Sequence, residues 1–135
     1  MVPTPAAVLA SALAAEPGLR LAVLFGSAAR DEAGDRSDLD VAVIGPDQGH
    51  LSPLEVRLAR ATGRQVEVVS LEAAPPLLRF EIAREGRVLV ESQPHLWTDF
   101  KVRAMVDWWD WAPTQRMLDR AAMARVRAEA EGGSR

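Results

Sequence analysis

Gly26 and Ser27 close an apolar run, Leu21 to Phe25. Ten residues later, Asp38 and Asp40 open another, Val41 to Ile44. In an extended strand alternate side chains point the same way. Asp38 and Asp40 therefore share a face, with Cα atoms about 6.6 Å apart at ~3.3 Å rise per residue. Leu39, Val41 and Val43 fill the opposite face. Two carboxylates that close repel, and strands are poor in Asp, so the pair requires a counter-charge. Mg²⁺ suits it, because that ion takes one or two carboxylates and completes its shell with water and substrate phosphates. Gly26 permits close backbone approach. At a helix start its amide and that of Ser27 face a phosphate, and the Ser27 hydroxyl is a further donor. Arg30, one turn on, carries a planar fork that fits a phosphate oxygen. Residues of these types at this spacing can hold a nucleoside triphosphate and its Mg²⁺.

Two-metal phosphoryl transfer clamps the attacking and leaving oxygens between ions ~3.5–4 Å apart, which calls for a third acid. Glu67 lies in the otherwise apolar run Gln65-Val66-Glu67-Val68-Val69, where a lone acid is costly. If that strand lies beside the Asp strand, Glu67 joins the pair, ligates metal and takes the proton of an acceptor hydroxyl. Gly26-Ser27 alone is a plain turn. At roughly 5–7% abundance for each residue type, four fixed positions coincide in about 10⁻³ of chains, so the acids in register decide the reading. His50 and His95 have no partners at catalytic or metal spacing and read as surface residues.

The elements that position these residues alternate between helix and strand. Thr4-Pro5 caps and starts a helix with Val8, Leu9, Ala12 and Leu13 on one face. Strand one is Leu19 to Phe25, apolar on both faces as in a strand covered on both sides. Ala28 to Ala33 is a short helix, Gly34 to Ser37 a loop and Asp38 to Ile44 strand two. Ser52-Pro53-Leu54-Glu55 reads as a capping box opening a helix to Thr62, with Leu54, Leu58 and Ala61 inward and Gly63 ending it. Strand three is Gln65 to Leu71. Pro75-Pro76 leads into a helix to Glu85, and strand four is Arg87 to Val90. Trp97 to Trp111 reads as a helix broken at Pro113, and Thr114 to Glu129 as another. The expected organisation is a domain over residues 1–112 and a C-terminal helix with a frayed end over 113–135. Trp97, Phe100, Ala104, Trp108 and Trp111 line one helix face, while Val102, Met105, Val106 and Trp109 form a second. That is more apolar width than one sheet requires, and Trp is a frequent hot spot of interfaces.

The 135 residues suit a single core, and 48% hydrophobic with 26% charged residues is a soluble composition. A net charge of −3 gives no basic footprint, so direct nucleic-acid binding is not expected. Absence of Cys removes disulfides, Cys zinc sites and thiol nucleophiles. No leader or ~20-residue apolar span is evident, so a cytoplasmic protein is expected.

The Gly26-Ser27, ten residues, Asp38-x-Asp40 signature with Arg30 resembles the nucleotidyltransferase superfamily, of DNA polymerase beta-like fold. The Glu67 strand, LEAAPPLLRFEIAREGRVLVES and the following helix also resemble the minimal nucleotidyltransferase antitoxins that accompany HEPN-domain toxins. The likeness covers about residues 18 to 111. It implies an α/β (α+β) fold: a mixed sheet of about four strands flanked by helices, with a C-terminal helical tail. It further implies Mg²⁺-dependent transfer of AMP from ATP, with one or two ions, onto a hydroxyl of the partner toxin, often a tyrosine. Asp38, Asp40 and Glu67 would be catalytic and metal-binding, and Gly26, Ser27 and Arg30 nucleotide-binding. These antitoxins usually carry Asp as third acid, so Glu67 is a departure. The chain has no Tyr, hence a tyrosine acceptor belongs to another chain. Two other readings are an antitoxin acting by contact alone and an antibiotic-type enzyme with a small-molecule acceptor. Little chain follows the Asp pair to build a small-molecule pocket.

Overall fold

The computed structural model describes residues 3–30 and 38–132. In chain order they form α1 (Pro5–Ala14), β1 (Leu21–Phe25), β2 (Leu39–Ile44), a 3₁₀ turn (Gln48–His50), α2 (Leu51–Thr62), β3 (Val66–Ser70), α3 (Pro76–Glu85), β4 (Arg87–Glu91) and α4 (Leu96–Gly132). The four strands make one mixed sheet in the order β3-β2-β1-β4. β1 runs antiparallel to β2 and β4, and β2 runs parallel to β3. A parallel neighbour needs a crossover, and α2 supplies it.

Strand alternation sorts the core onto two faces. Ala22 and Leu24 of β1 and Leu39, Val41 and Val43 of β2 pack with Leu9 and Leu13 of α1 and Leu54 and Leu58 of α2. Leu21 and Val23, with Ala42 of β2, pack on the other face against Ile82 of α3 and Phe100 and Ala104 of α4. β1 is buried over Leu21 to Leu24, as expected of a strand covered on both sides. Thr4 caps α1 by accepting the Ala7 N–H at 3.1 Å, and Arg57 of α2 is ion-paired with Glu16 beyond the end of α1. Gly63 ends α2 with φ +69°.

Several local expectations are corrected. Residues 27–30 form a turn rather than the start of a helix. The remainder of that expected helix, Asp31 to Ala33, and the loop Gly34 to Ser37 lie outside the described residues, as does the end of the frayed tail. The capping box is not formed: α2 begins at Leu51, and Ser52 lies inside it. Glu55 instead accepts the Val68 N–H at 2.7 Å. β3 is an edge strand, and this carboxylate occupies one of its outward amides, which edges must otherwise leave to water or to another chain. Leu51, rather than Ala61, completes the inward face of α2. Pro113 does not break the last helix. A proline removes one N–H and crowds the preceding turn, but the preceding turns are held by packing on α3 and the Gln, Arg, Met, Leu and Ala residues that follow are strong helix formers, and α4 runs through it, 37 residues in all.

α4 packs along α3 through its aromatic stripe. Phe80 stacks on Trp108 at 5.1 Å between ring centroids, and Arg79 lies over the Phe100 ring while reaching Asp107 at 3.5 Å. Val102, Val106 and Trp109 face away and are exposed.

Replacing Glu55 by Ala is expected to lower the unfolding free energy by about 1.5–3 kcal/mol, the range for a hydrogen bond to a charged group. Glu55→Gln is expected to recover part of the loss. Urea denaturation at neutral pH measures both.

Candidate phosphoryl-transfer site

The inner strand β2, the edge strand β3 and the turn after β1 meet at one corner of the sheet. Phe25 pairs with Asp40 across β1 and β2, and Asp40 pairs with Glu67 across β2 and β3. Asp40 has the same parity as Ala42, and Glu67 the same as Val69. Both acids therefore belong to the face that carries α3 and α4. Asp38 is the residue before β2 and is exposed.

Gly26 has φ +75°, a conformation that L side chains rarely adopt. A Cβ built there would lie 2.5 Å from Asp40 Oδ2. The backbone turn thus rests against the carboxylate, and both the dihedral and the space require glycine. The turn is closed by N–H donation from Ala29 to the Gly26 carbonyl at 3.1 Å and from Arg30 to that of Ser27 at 3.2 Å. Ala29 is 4% exposed and belongs to the α1/α2-side core, which pins the turn from below and leaves Ser27 half-buried at the surface.

Burial pushes the Asp40 carboxyl above its ordinary 3.8, and the charges of Glu67 and Asp38 add to the rise. The three acids therefore share a field. Among the described residues no three His, Cys, Asp or Glu side chains form a ready metal cage. The donor set suits an ion such as Mg²⁺, which takes one or two carboxylates and fills its shell from phosphate and water.

Arg30 is held differently from the sequence reading. Its guanidinium donates to Glu85 Oε2 at 2.8 Å, at the end of α3. That hydrogen bond, opposed by desolvation and aided by Arg84, holds the Glu85 carboxyl below its ordinary 4.5. Arg30 remains beside the turn, with Glu85 as the residue that orients it. Glu85 lies 55 positions away, and no local pattern marks it.

The family model described as polymerase beta, nucleotidyltransferase matches residues 8–95. No curated protein matches the chain. Among solved structures, a chain from a toxin–antitoxin complex with AMP-PNP is 25% identical, with TM-score 0.74, over 87% of this chain and 98% of that one. A chain from an MntA–HpeT toxin–antitoxin mutant is 26% identical, with TM-score 0.69, over 83% and 93%. A chain from the complex of the tri-AMPylated Shewanella oneidensis HEPN toxin with MNT antitoxin is 24% identical, with TM-score 0.69, over 87% and 96%, a likeness of fold.

The raised carboxyl of Asp40 has a definite sign in stability. Folding takes up a proton between the ordinary value and the raised one, so stability falls as pH rises through that window and the deficit persists at neutral pH. Asp40→Asn, measured without divalent cation, is expected to unfold at higher urea than the parent at pH 7 and to flatten the descent above pH 3.8. Gly26→Ala is expected to lose about 1–3 kcal/mol, the range for a strained backbone position, in the same assay.

Proposed function

Because the chain belongs to the polymerase beta nucleotidyltransferase family, we propose that it is an antitoxin that transfers AMP from ATP to a hydroxyl of a partner HEPN-family RNase toxin, and so neutralises it. The observation that carries this reading is the register of Asp40 beside Glu67 with the Gly26 turn against the Asp40 carboxylate. The complex with AMP-PNP and the AMPylated HEPN toxin beside an MNT antitoxin support it.

The register of Asp40 and Glu67 and the Gly26 turn support the following roles. Gly26, Ser27 and Arg30 hold the triphosphate. Asp38 and Asp40, with Glu67, would hold Mg²⁺, which would offset the carboxylate repulsion and the charge of the phosphates. A tyrosine acceptor belongs to the partner, since this chain has none. Its oxygen attacks the α-phosphorus, the new O–P bond forms as the bond to the β-phosphate oxygen breaks, and pyrophosphate leaves. Glu67, exposed on the edge strand, receives the hydroxyl proton. Most of the acceleration comes from alignment and from charge held in place, the usual demand of phosphoryl transfer.

Incubation with the HEPN partner, Mg²⁺ and α-labelled ATP is expected to label the partner. Asp38→Ala or Asp40→Ala is expected to cut labelling on the order of 10²-fold or more, matching several kcal/mol of lost charge stabilisation. Glu67→Gln is expected to cut it about 10²–10⁴-fold. Neutralisation that survives the Asp substitutions unchanged would replace this reading with an antitoxin acting by contact.

A further inference from the structure

α4 has a second face that the domain does not use. Val102 and Val106 lie two residues either side of Ala104, which puts them about 200° away around the helix. Ala104 is 1% exposed, while Val102 is 58%, Val106 45% and the neighbouring Trp109 70% exposed. The 3–4 spacing of Val102, Val106 and Trp109 continues through Pro113 to Met117, Arg120, Ala124 and Arg127. Met117 is 71% exposed. The row is apolar from Val102 to Met117 and carries Arg120 and Arg127 beyond it; its first part lies opposite the packed face of α4, and the described side chains from Met117 to Ala128 are all exposed.

The charges along this stripe are divided by position. An open groove beside Val102 and Val106 is lined by Asp99, Arg103, Asp107 and Asp110. A second, beside Met123 and Ala124, is lined by Arg120 and Arg127. Asp107 is engaged by Arg79 and Arg103. Among the described residues, Asp99, Asp110, Arg120 and Arg127 have no ion-pair partner. With Arg103 paired to Asp107, the remaining charges of one groove are acidic and those of the other basic, and the two sets are roughly equidistant from Pro113. A surface of this kind is complementary to itself after a half-turn, the condition for an isologous two-fold contact.

We propose that the outward face of α4 pairs with the same face of a second copy of this chain, antiparallel and centred near Pro113. Val102 of one copy then meets the Met123–Ala124 region of the other, and Asp99 and Asp110 face the Arg120–Arg127 half. The overlap from 99 to 127 is about 42 Å of helix at 1.5 Å per residue. The proposal does not rest on the catalytic reading.

Light scattering after size exclusion, on the full chain alone at tens of micromolar, tests it. The expected mass is twice 14.7 kDa, falling toward the monomer as salt is raised past the screening range. Arg120→Glu with Arg127→Glu is expected to give a monomer of unchanged helical content by circular dichroism. So is Asp99→Lys with Asp110→Lys. An equimolar mixture of the two variants is expected to restore the dimer. A wild-type monomer under these conditions, whether or not α4 binds another protein, would overturn the proposal. So would a dimer indifferent to both charge reversals, or variants that stay monomeric when mixed.

Discussion

Negative charge crowded into one corner of the sheet is the constraint around which this molecule is arranged. Asp40 sits half-buried on a strand, opposite Glu67 in the parallel register and within the field of Asp38. Nothing in ordinary packing favours that arrangement. The neighbouring turn is fitted so closely to the Asp40 carboxylate that only a hydrogen atom has room at Gly26. The corner stores electrostatic cost in the free protein, and a ligand that brings positive charge and phosphate acceptors relieves it.

The rest of the fold keeps that corner from relaxing. Separate cores on the two sheet faces hold β1 and β2 rigidly between α1 and α2 on one side and α3 and α4 on the other. A one-residue slip of β2 would carry Asp40 into the α1/α2-side core and Val41 out of it, so the hydrophobic alternation fixes the position of the acid. Arg30, reached by Glu85 from α3, ties the turn to the second layer as well.

What was legible in the sequence was whatever depended on alternation and short spacing. Glu67 stood out as a lone acid in an apolar run that would join the Asp pair if its strand lay beside theirs, and the parallel register of β2 and β3 puts it opposite Asp40. The Gly26 turn followed from an apolar run ending in a residue without a side chain. Features that depended on distant partners were not legible. Ser52 and Glu55 had the local form of a cap, but the outward Val68 amide was a better partner for that carboxylate than the start of its own helix. Pro113 looked like a stop because the packing of Trp108 and Asp107 on α3 and the helix formers after it could not be weighed against one missing amide. The Arg30–Glu85 pair joins elements whose proximity only the fold creates. The match to the polymerase beta nucleotidyltransferase family and the mixed four-stranded sheet agree with the fold that the signature implied.

Glu55 also bears on how an incoming protein can be recognised. Many partners dock by adding a strand to an exposed sheet edge and reading its main chain. Here the open side of β3 runs directly past Glu67, yet the Val68 amide beside it already has its acceptor in α2. A peptide zipping along this margin would have to evict a carboxylate from its hydrogen bond. The geometry instead favours a folded visitor that offers a single protruding side chain to the corner, its identity checked by surface shape rather than by backbone pairing.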